Sequence, residues 1–267
     1  MVVEVDNMEP YFIWNGIDSR NMGIWIQQYP AIARPPMRYE SISIPGRAGA
    51  LAVLEDEDVY DQYVREVKIL TKPDADCAAI LRWLTGKGTV IFGCEPYRAQ
   101  DAHVYDSVSL GHGEYNKARS ATVRFLCDPF KRAALSEEVI DLTEQDTFSR
   151  GFVHVYSRDK TDVRTWPLFE LAGTGVVQLQ HGTLKLAVEG LASSLVCYID
   201  CWQKIAYMMD MNDYKDIVTP TGIVRKYKTF PAITHGDYFP LDKDSINRID
   251  LTGSITTLKI TPRWRWF

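Results

Sequence analysis

The C-terminal half of the chain has the feature that most restricts its fold, a succession of short strand-like runs separated by turn residues. Such runs occupy residues 167–172, 176–180, 183–188 and 195–200, and later residues 204–208, 223–227, 248–251 and 256–261. Glycines such as Gly173 and Gly175 stand between them. Short strands at this spacing favour an antiparallel β-sandwich.

The N-terminal half has a mixed pattern, with one helix among predicted strands. An apolar stripe with the spacing of one helix face, i, i+3, i+4 and i+7, is formed by Cys77, Ile80, Leu81 and Leu84. Asp74 or Asp76 is the candidate N-cap, and Gly86 and Gly88 follow the helix. We therefore expect this stripe, including the Cys77 thiol, to pack against a core.

A hairpin is predicted at Asn15-Gly16, because this dipeptide favours the two-residue turns that join antiparallel strands. The run before it, residues 11–14, is aromatic and β-branched. The partner strand is expected near residues 24–26.

Residues 41–51 predict a strand, a sharp turn and a second strand. Residues 41–44 alternate polar and apolar, which is the period of a half-buried strand. Pro45-Gly46 favours a tight turn, and Arg47 would lie at its tip. We interpret Pro45, Gly46 and Arg47 as a candidate assembly contact, and an ordinary hairpin tip is the alternative.

Composition limits the classes of function. The chain has 267 residues, 46% of them hydrophobic, so it can form one large domain or two ordinary ones. Its net charge of -5 argues against nucleic-acid binding as its main task. No apolar run is long enough to span a bilayer, and the first residues do not resemble a secretory signal. Its five scattered cysteines fit a reduced compartment better than a disulfide framework.

The sequence predicts no catalytic, cofactor-binding or metal-binding residue. The acidic run at residues 55–58 lacks the spacing of a calcium loop and is interpreted as a solvated loop. Cys197 and Cys201 have no second pair at the spacing of a zinc site. Asp200 and Asp213 are carboxylates that a glycosidase could use, but any acidic β-protein offers as many.

Short motifs keep a characteristic order along the chain. They are YFIWNG at 11–16, GI at 23–24, IPGRAG at 44–49, LRWL at 81–84, FLCDPF at 125–130, YID at 198–200, FPL at 239–241 and LKITPRWRW at 258–266. With this order and spacing, the chain resembles the siphophage distal tail protein family, often called Dit, over nearly its whole length.

The resemblance implies a fold and an assembly. Residues 1–133 would be an N-terminal β-domain with one helix, six copies of which form a ring. Residues 134–267 would be a C-terminal galectin-like antiparallel β-sandwich. The pair Cys197 and Cys201, and the stretch from Met208 to Met211, have no counterpart in the family pattern.

The resemblance also implies a place and partners. The homo-hexameric ring would be a structural hub at the tail tip of the virion, assembled in the host cytoplasm. It would join the tail tube protein to tail-tip and receptor-binding proteins, without membrane insertion. DNA would only pass through the lumen, and the acidic composition suggests a wall that repels phosphate.

The alternative function is a carbohydrate-binding β-sandwich module for host adsorption. Sugar binding needs an exposed aromatic ring beside polar groups, and Trp202, next to Asp200 and Gln203, is the candidate platform. Packing of Trp202 in or between sheets is the favoured interpretation, so no sugar binding is expected.

Overall fold

The structure, a computed structural model, describes residues 9–46, 48–54, 59–112, 118–135, 137–143, 147–157, 160–219, 222–243 and 245–267. The chain is mainly β, which confirms the predicted fold class. It divides into two compact units. The first comprises residues up to 136 together with Trp266 and Phe267, and the second spans residues 137–265. The roles of the two predicted domains remain predictions.

The first unit is built on one large antiparallel sheet, in the order β2-β1-β7-β8-β10-β6-β3 with β9 beside β10. A separate hairpin, β4–β5, pairs only with itself among the described strands. The strands are β1 Phe12–Trp14, β2 Ile17–Asp18, β3 Ile24–Gln28, β4 Tyr39–Ser43, β5 Ala50–Leu54, β6 Tyr63–Thr71, β7 Gly86–Phe92, β8 Arg98–Val104, β9 Gly111–His112 and β10 Arg119–Ala133.

Phe125 shows that this sheet curls around its core. Its strand, β10, lies three strand spacings from β1, which is about 14 Å in a flat sheet. The Phe125 ring nevertheless lies 5.7 Å from the ring of Phe12 and 5.3 Å from that of Trp14, and all three side chains are fully buried. The strands must therefore bend toward one another.

The helix α1, Cys77–Trp83, covers this core as predicted. The Asp76 carboxylate caps it by accepting hydrogen bonds from two backbone amides of the first turn. Each of the indoles of Trp14 and Trp83 donates to the other residue's carbonyl, at 3.1 and 3.2 Å. These reciprocal bonds fix the helix to β1.

The expected apolar stripe of α1 is only partly buried. Ile80 and Leu84 are buried, but Cys77 is half-buried and Leu81 is 38% exposed. The prediction for Leu81 is wrong because a helix of two turns contacts the sheet along one narrow line.

The prediction for Asn15-Gly16 is right about the turn and wrong about the partner strand. The turn joins β1 to β2, with Trp14 paired to Ile17. A 3₁₀-helix, Ser19–Met22, then redirects the chain, and the Asp18 carboxylate caps it. As a result, β3 pairs with β6 at the opposite edge of the sheet.

Ionic groups lie buried beside this core. The Glu95 carboxylate accepts from the guanidinium of Arg65 at 2.7 Å and from the ammonium of Lys131, and both cations are almost completely buried. The backbone of Lys131 pairs with Trp266, and the Arg98 guanidinium stacks on the Trp266 ring at 3.4 Å. The residues near the C-terminus therefore complete the first unit.

We predict that Phe125→Ala lowers the free energy of unfolding by about 3–5 kcal/mol, because it removes a fully buried ring at a junction of three aromatic contacts. Urea unfolding followed by near-UV circular dichroism measures the change. Tyr97→Ala is the control, because this side chain is 75% exposed and its loss should cost little. Equal effects of the two substitutions would contradict the proposed core.

Burial alone would raise the pKa of Glu95, but hydrogen bonds from Lys131 and Arg65 outweigh it and lower the pKa. A lowered pKa in the folded state means that the carboxylate stabilises the fold above about pH 4.3, and that this stability is lost as the pH falls through the folded value. We expect Glu95→Gln to destabilise the protein at pH 7 and to reduce the acid-side fall in stability.

Urea unfolding between pH 3 and pH 7 tests this expectation. Glu66→Gln is the matched control, since Glu66 pairs with Arg124 where both side chains are more than 40% exposed. An acid-side fall in stability that Glu95→Gln leaves unchanged would exclude the buried carboxylate as its source.

The second unit is a single antiparallel sheet in the order β11-β19-β13-β15-β16-β17. Three further strands lie beside this series: β12 pairs with β19, and β14 pairs with β13 and with β18. A four-residue helix, α2 Thr147–Arg150, precedes β12. The strands are β11 Ile140–Asp141, β12 Phe152–Val155, β13 Leu168–His181, β14 Leu184–Leu191, β15 Leu195–Asp200, β16 Ile205–Thr219, β17 Gly222–Pro231, β18 Ile233–Gly236 and β19 Asn247–Thr261.

Phe239 shows that this sheet folds over on itself. Its ring lies 5.6 Å from Phe169 and 5.7 Å from His181, so those two rings are at most about 11 Å apart. Both belong to β13, and twelve residues of straight strand would separate them by about 40 Å. Strand β13 therefore bends sharply and contributes to two layers, which is the predicted sandwich.

The bend coincides with irregular pairing between β13 and β19. Their register shifts between Ala172 and Gly173, and again between Thr174 and Gln178. A Cβ atom at Gly173 would collide with the carbonyl oxygen of Ser254, so the two backbones approach closely only because this residue is glycine. The sequence pattern placed separate strands on either side of this point, where the structure has one bent strand.

Candidate assembly surfaces

The hairpin β4–β5 has the strand, turn and strand that residues 41–51 predict. Ile42 pairs with Leu51 and Glu40 with Val53. Between the strands, Pro45 and Gly46 form a turn in which Gly46 has a φ of 81°. Arg47 lies outside the described residues. The structure therefore leaves the candidate contact at Pro45, Gly46 and Arg47 as a prediction.

The apolar side chains of this hairpin are about half-buried, as expected, but none of the described side chains of β4 and β5 is fully buried in the single chain. The alternating side chains of Ile42, Ile44, Leu51 and Val53 are each 37–41% exposed. Because Ile42 lies opposite Leu51, and because alternate residues share a face, these four form one apolar face. This apolar face has the pattern of a core surface, but the single chain leaves much of it in water.

A second hairpin, in the second unit, is also open on both faces. The pairing of β16 with β15 ends at Asp210, and residues 214–219 of β16 pair with β17 alone among the described strands. We call residues 212–219 and 222–228 the C-terminal arm. The side chains of residues 212–216 and 224–226 are all exposed, although neighbours along a strand point to opposite faces.

Strands β16 and β17, whose far ends form the C-terminal arm, are longer than the strands predicted at residues 204–208 and 223–227. The stretch after Met208 contains Asp210, Asn212 and Asp213, which are poor strand formers, and the pairing register shifts between Asp210 and Tyr214. Beyond this irregularity, Tyr214 packs against Tyr227 with ring centroids 5.7 Å apart. Cross-strand aromatic packing of this kind holds the two strands together.

Trp202 lies on a tight turn between β15 and β16 and is 67% exposed. The expectation that it packs in or between sheets is therefore wrong. The turn is fixed by Asp200, whose Oδ1 accepts from the backbone amides of Trp202 and Gln203, at 3.0 and 3.1 Å. The hydrogen bonds of this turn hold the backbone in a conformation that presents the indole to solvent.

The Asp200 carboxylate is fully engaged in this turn. Both of its oxygens accept from the Arg263 guanidinium at 2.8 Å, and these bonds with the turn amides lower the pKa of Asp200 despite its burial. An exposed ring alone does not make a sugar site, because sugar hydroxyls need polar groups with free hydrogen-bonding capacity beside it. Asp200 does not supply that capacity.

The buried cysteines have unreactive surroundings. Burial raises the pKa of the Cys127, Cys197 and Cys201 thiols to about 12, so they remain protonated at neutral pH. Within the described residues no cluster of His, Cys, Asp and Glu could hold a metal ion. No helix in the described part of the chain is long and apolar enough to cross a membrane.

Exposed charges of both signs lie on the surface of the first unit. Arg124 bridges Glu66 and Asp106 at 2.7 and 2.9 Å, and Arg132 lies 3.2 Å from Asp101. Acidic groups on these strands are therefore paired with basic ones. This part of the surface gives no support to a uniformly acidic wall.

One comparison with a solved structure supports this fold. The chain is mainly β and has two units, and each unit has an exposed hairpin. The solved structure of the Dit protein of phage SPP1 (gp 19.1), described as a paradigm of the hub adsorption apparatus in phages that infect Gram-positive bacteria, covers 97% of this chain and is itself covered completely. The two match with a TM-score of 0.68 at 15% identity, so this chain has the fold of that distal tail protein.

A chain in the baseplate of phage P2, in its activated conformation with Ca, gives a TM-score of 0.42 at 10% identity, with 97% of this chain and 98% of that chain covered. No protein-family model and no curated protein sequence matches this chain.

We predict that titration with glycans gives no saturable binding that depends on Trp202. The physical reason is that the adjacent carboxylate is already paired with Arg263. A glycan array followed by calorimetry tests this, with Trp202→Ala as the variant and Tyr97→Ala as an exposed aromatic control. Saturable binding that is lost only in Trp202→Ala would contradict the prediction.

Proposed function

We propose that this chain is a structural subunit of a phage tail tip, where copies of it form a ring that joins the tail tube to the proteins of the tip. The apolar face of β4–β5 is the observation that carries the proposal. The fold shared with the SPP1 Dit protein supports it, because that protein is described as part of a hub apparatus.

The proposed contact follows from burial. Covering the remaining exposed area of a half-exposed aliphatic side chain stabilises an assembly by about 1 kcal/mol, and the apolar face of β4–β5 offers four such side chains. A neighbouring copy that covers this face forms a heterologous contact, and repetition of that contact around an axis closes a ring. We propose six copies, with Pro45, Gly46 and Arg47 at the edge of the contact.

The two units would then have different tasks. Residues 1–133 form the ring, and residues 134–267 form a galectin-like sandwich that carries or spaces other tail proteins. The partners are the tail tube protein on one side and tail-tip and receptor-binding proteins on the other, with DNA passing through the lumen. The role is structural, at the tail tip of the virion, and it requires no catalysis.

Ile42→Glu tests the apolar face of β4–β5. We expect this substitution to prevent ring formation, since the interface would bury a charge without a partner. Light scattering after size-exclusion chromatography and electron microscopy measure the assembly, and circular dichroism checks the fold. Complementation of a phage that lacks the gene measures tail assembly when tail partners are needed.

Ser41→Glu is the matched control, because Ser41 is the neighbouring strand position on the opposite face of the same hairpin. We expect this variant to assemble. Normal rings and tails with Ile42→Glu would exclude the contact, and equal failure of both variants would show that the hairpin tolerates no charge on either face.

A further inference from the structure

The C-terminal arm has strands of opposite charge. Within the arm, at residues 212–219, β16 carries the two aspartates Asp213 and Asp216 and one lysine, Lys215. Between residues 222 and 231, β17 carries Arg225, Lys226 and Lys228 and no acidic residue. The arm is therefore acidic along one strand and basic along the other.

Both long edges of the arm lack a partner strand in the described part of the chain. Strand β17 ends the sheet of the second unit and pairs only with β16 among the described strands. On the side where β15 pairs with β16, the Met211 amide still donates to the Ser194 carbonyl at 3.0 Å, and beyond it the described part of β16 has no partner there. Unpaired edges present rows of backbone donors and acceptors to another strand, and two-stranded hairpins are only marginally stable in water.

The arm also contains an unfavourable contact of its own. Lys215 lies directly opposite Lys226 in the pairing register, and like charges opposite each other weaken a hairpin. The ion pairs that the arm does make are exposed and long, with Arg225 3.5 Å from Asp216 and Lys228 3.2 Å from Asp213. Internal charge pairing leaves the basic strand incompletely balanced.

From this arrangement we propose that the C-terminal arms of neighbouring copies pair edge to edge, with the basic β17 of one copy against the acidic β16 of the next. The inference rests on the proposed ring. In this arrangement the arms run along the ring axis. Rotation about that axis then keeps β16 of every copy in the same direction, so β17 of one copy meets the next β16 in antiparallel orientation.

Charge selects this pairing over the alternatives. Two β17 edges brought together would place Arg225, Lys226 and Lys228 against the same cations of the partner, which disfavours a symmetric contact. A β17–β16 contact places aspartates beside those cations and covers exposed apolar groups such as Val224, which is 52% exposed. The partner that fits the arm is therefore a second copy of this chain.

Hydrogen exchange measured by mass spectrometry tests the proposal on rings of the full chain. In peptides that cover residues 212–219 and 222–230, we expect exchange to be about tenfold or more slower in rings than in the Ile42→Glu monomer. If the amide hydrogens of the arm exchange as fast in rings as in the monomer, this inference is overturned and the ring proposal stays intact. A chain that forms no oligomer, alone or with tail proteins, would overturn both.

Charge reversal separates contacts between copies from contacts within one arm. One variant carries Arg225→Glu, Lys226→Glu and Lys228→Glu, and the other carries Asp213→Lys and Asp216→Lys. Each variant alone places like charges at every β17–β16 contact between copies, so we expect the arms to lose their slow exchange.

A mixture of the two variants is the decisive measurement. In alternating copies every contact between arms regains opposite charges, whereas the ion pairs inside each arm stay broken. Slow exchange restored in the mixture supports pairing between copies. Slow exchange restored only when all five substitutions are in one chain would show that the charges act within the arm, and would overturn the proposal.

Discussion

Burial of alternate apolar side chains is the constraint on which this structure depends, and the two hairpins fail to satisfy it within one chain. In the large sheets, residues that alternate with polar neighbours are buried, as in β6, where Val67 and Ile69 are fully buried. In β4–β5 the same alternation leaves Ile42 41% and Leu51 37% exposed. In the proposed assembly, a neighbouring molecule covers this face.

The sequence predicted the parts of the fold that local chemistry determines. The helix over residues 77–84, its cap at Asp76 and the turn at Pro45-Gly46 all depend on residues close in the chain. The partner of β1 and the bent strand β13 depend on contacts between distant residues. No local signal at Asn15-Gly16 could show that β3 would cross to the far edge of the sheet.

The candidate surfaces were predicted in part, for the same reason. Alternation at residues 41–44 identified the hairpin, but only the structure shows that its described side chains are exposed on both faces. Trp202 was misjudged because burial of a tryptophan is the common case, whereas here Asp200 holds the turn through bonds to two amides and to Arg263, far along the chain. The sequence shows the charge difference between β16 and β17. Only the pairing register shows that these two strands form one hairpin with an acidic and a basic strand.

In the proposed ring, the two hairpins would meet different requirements of the assembly. An apolar face such as that of β4–β5 gives affinity with little directional preference, since hydrophobic burial is non-directional. Edges of opposite charge on the C-terminal arm give direction, because a basic edge accepts an acidic one and rejects its own kind. A subunit with both features favours a head-to-tail order over face-to-face pairs, and a closed ring is the arrangement in which such an order leaves no edge unpaired.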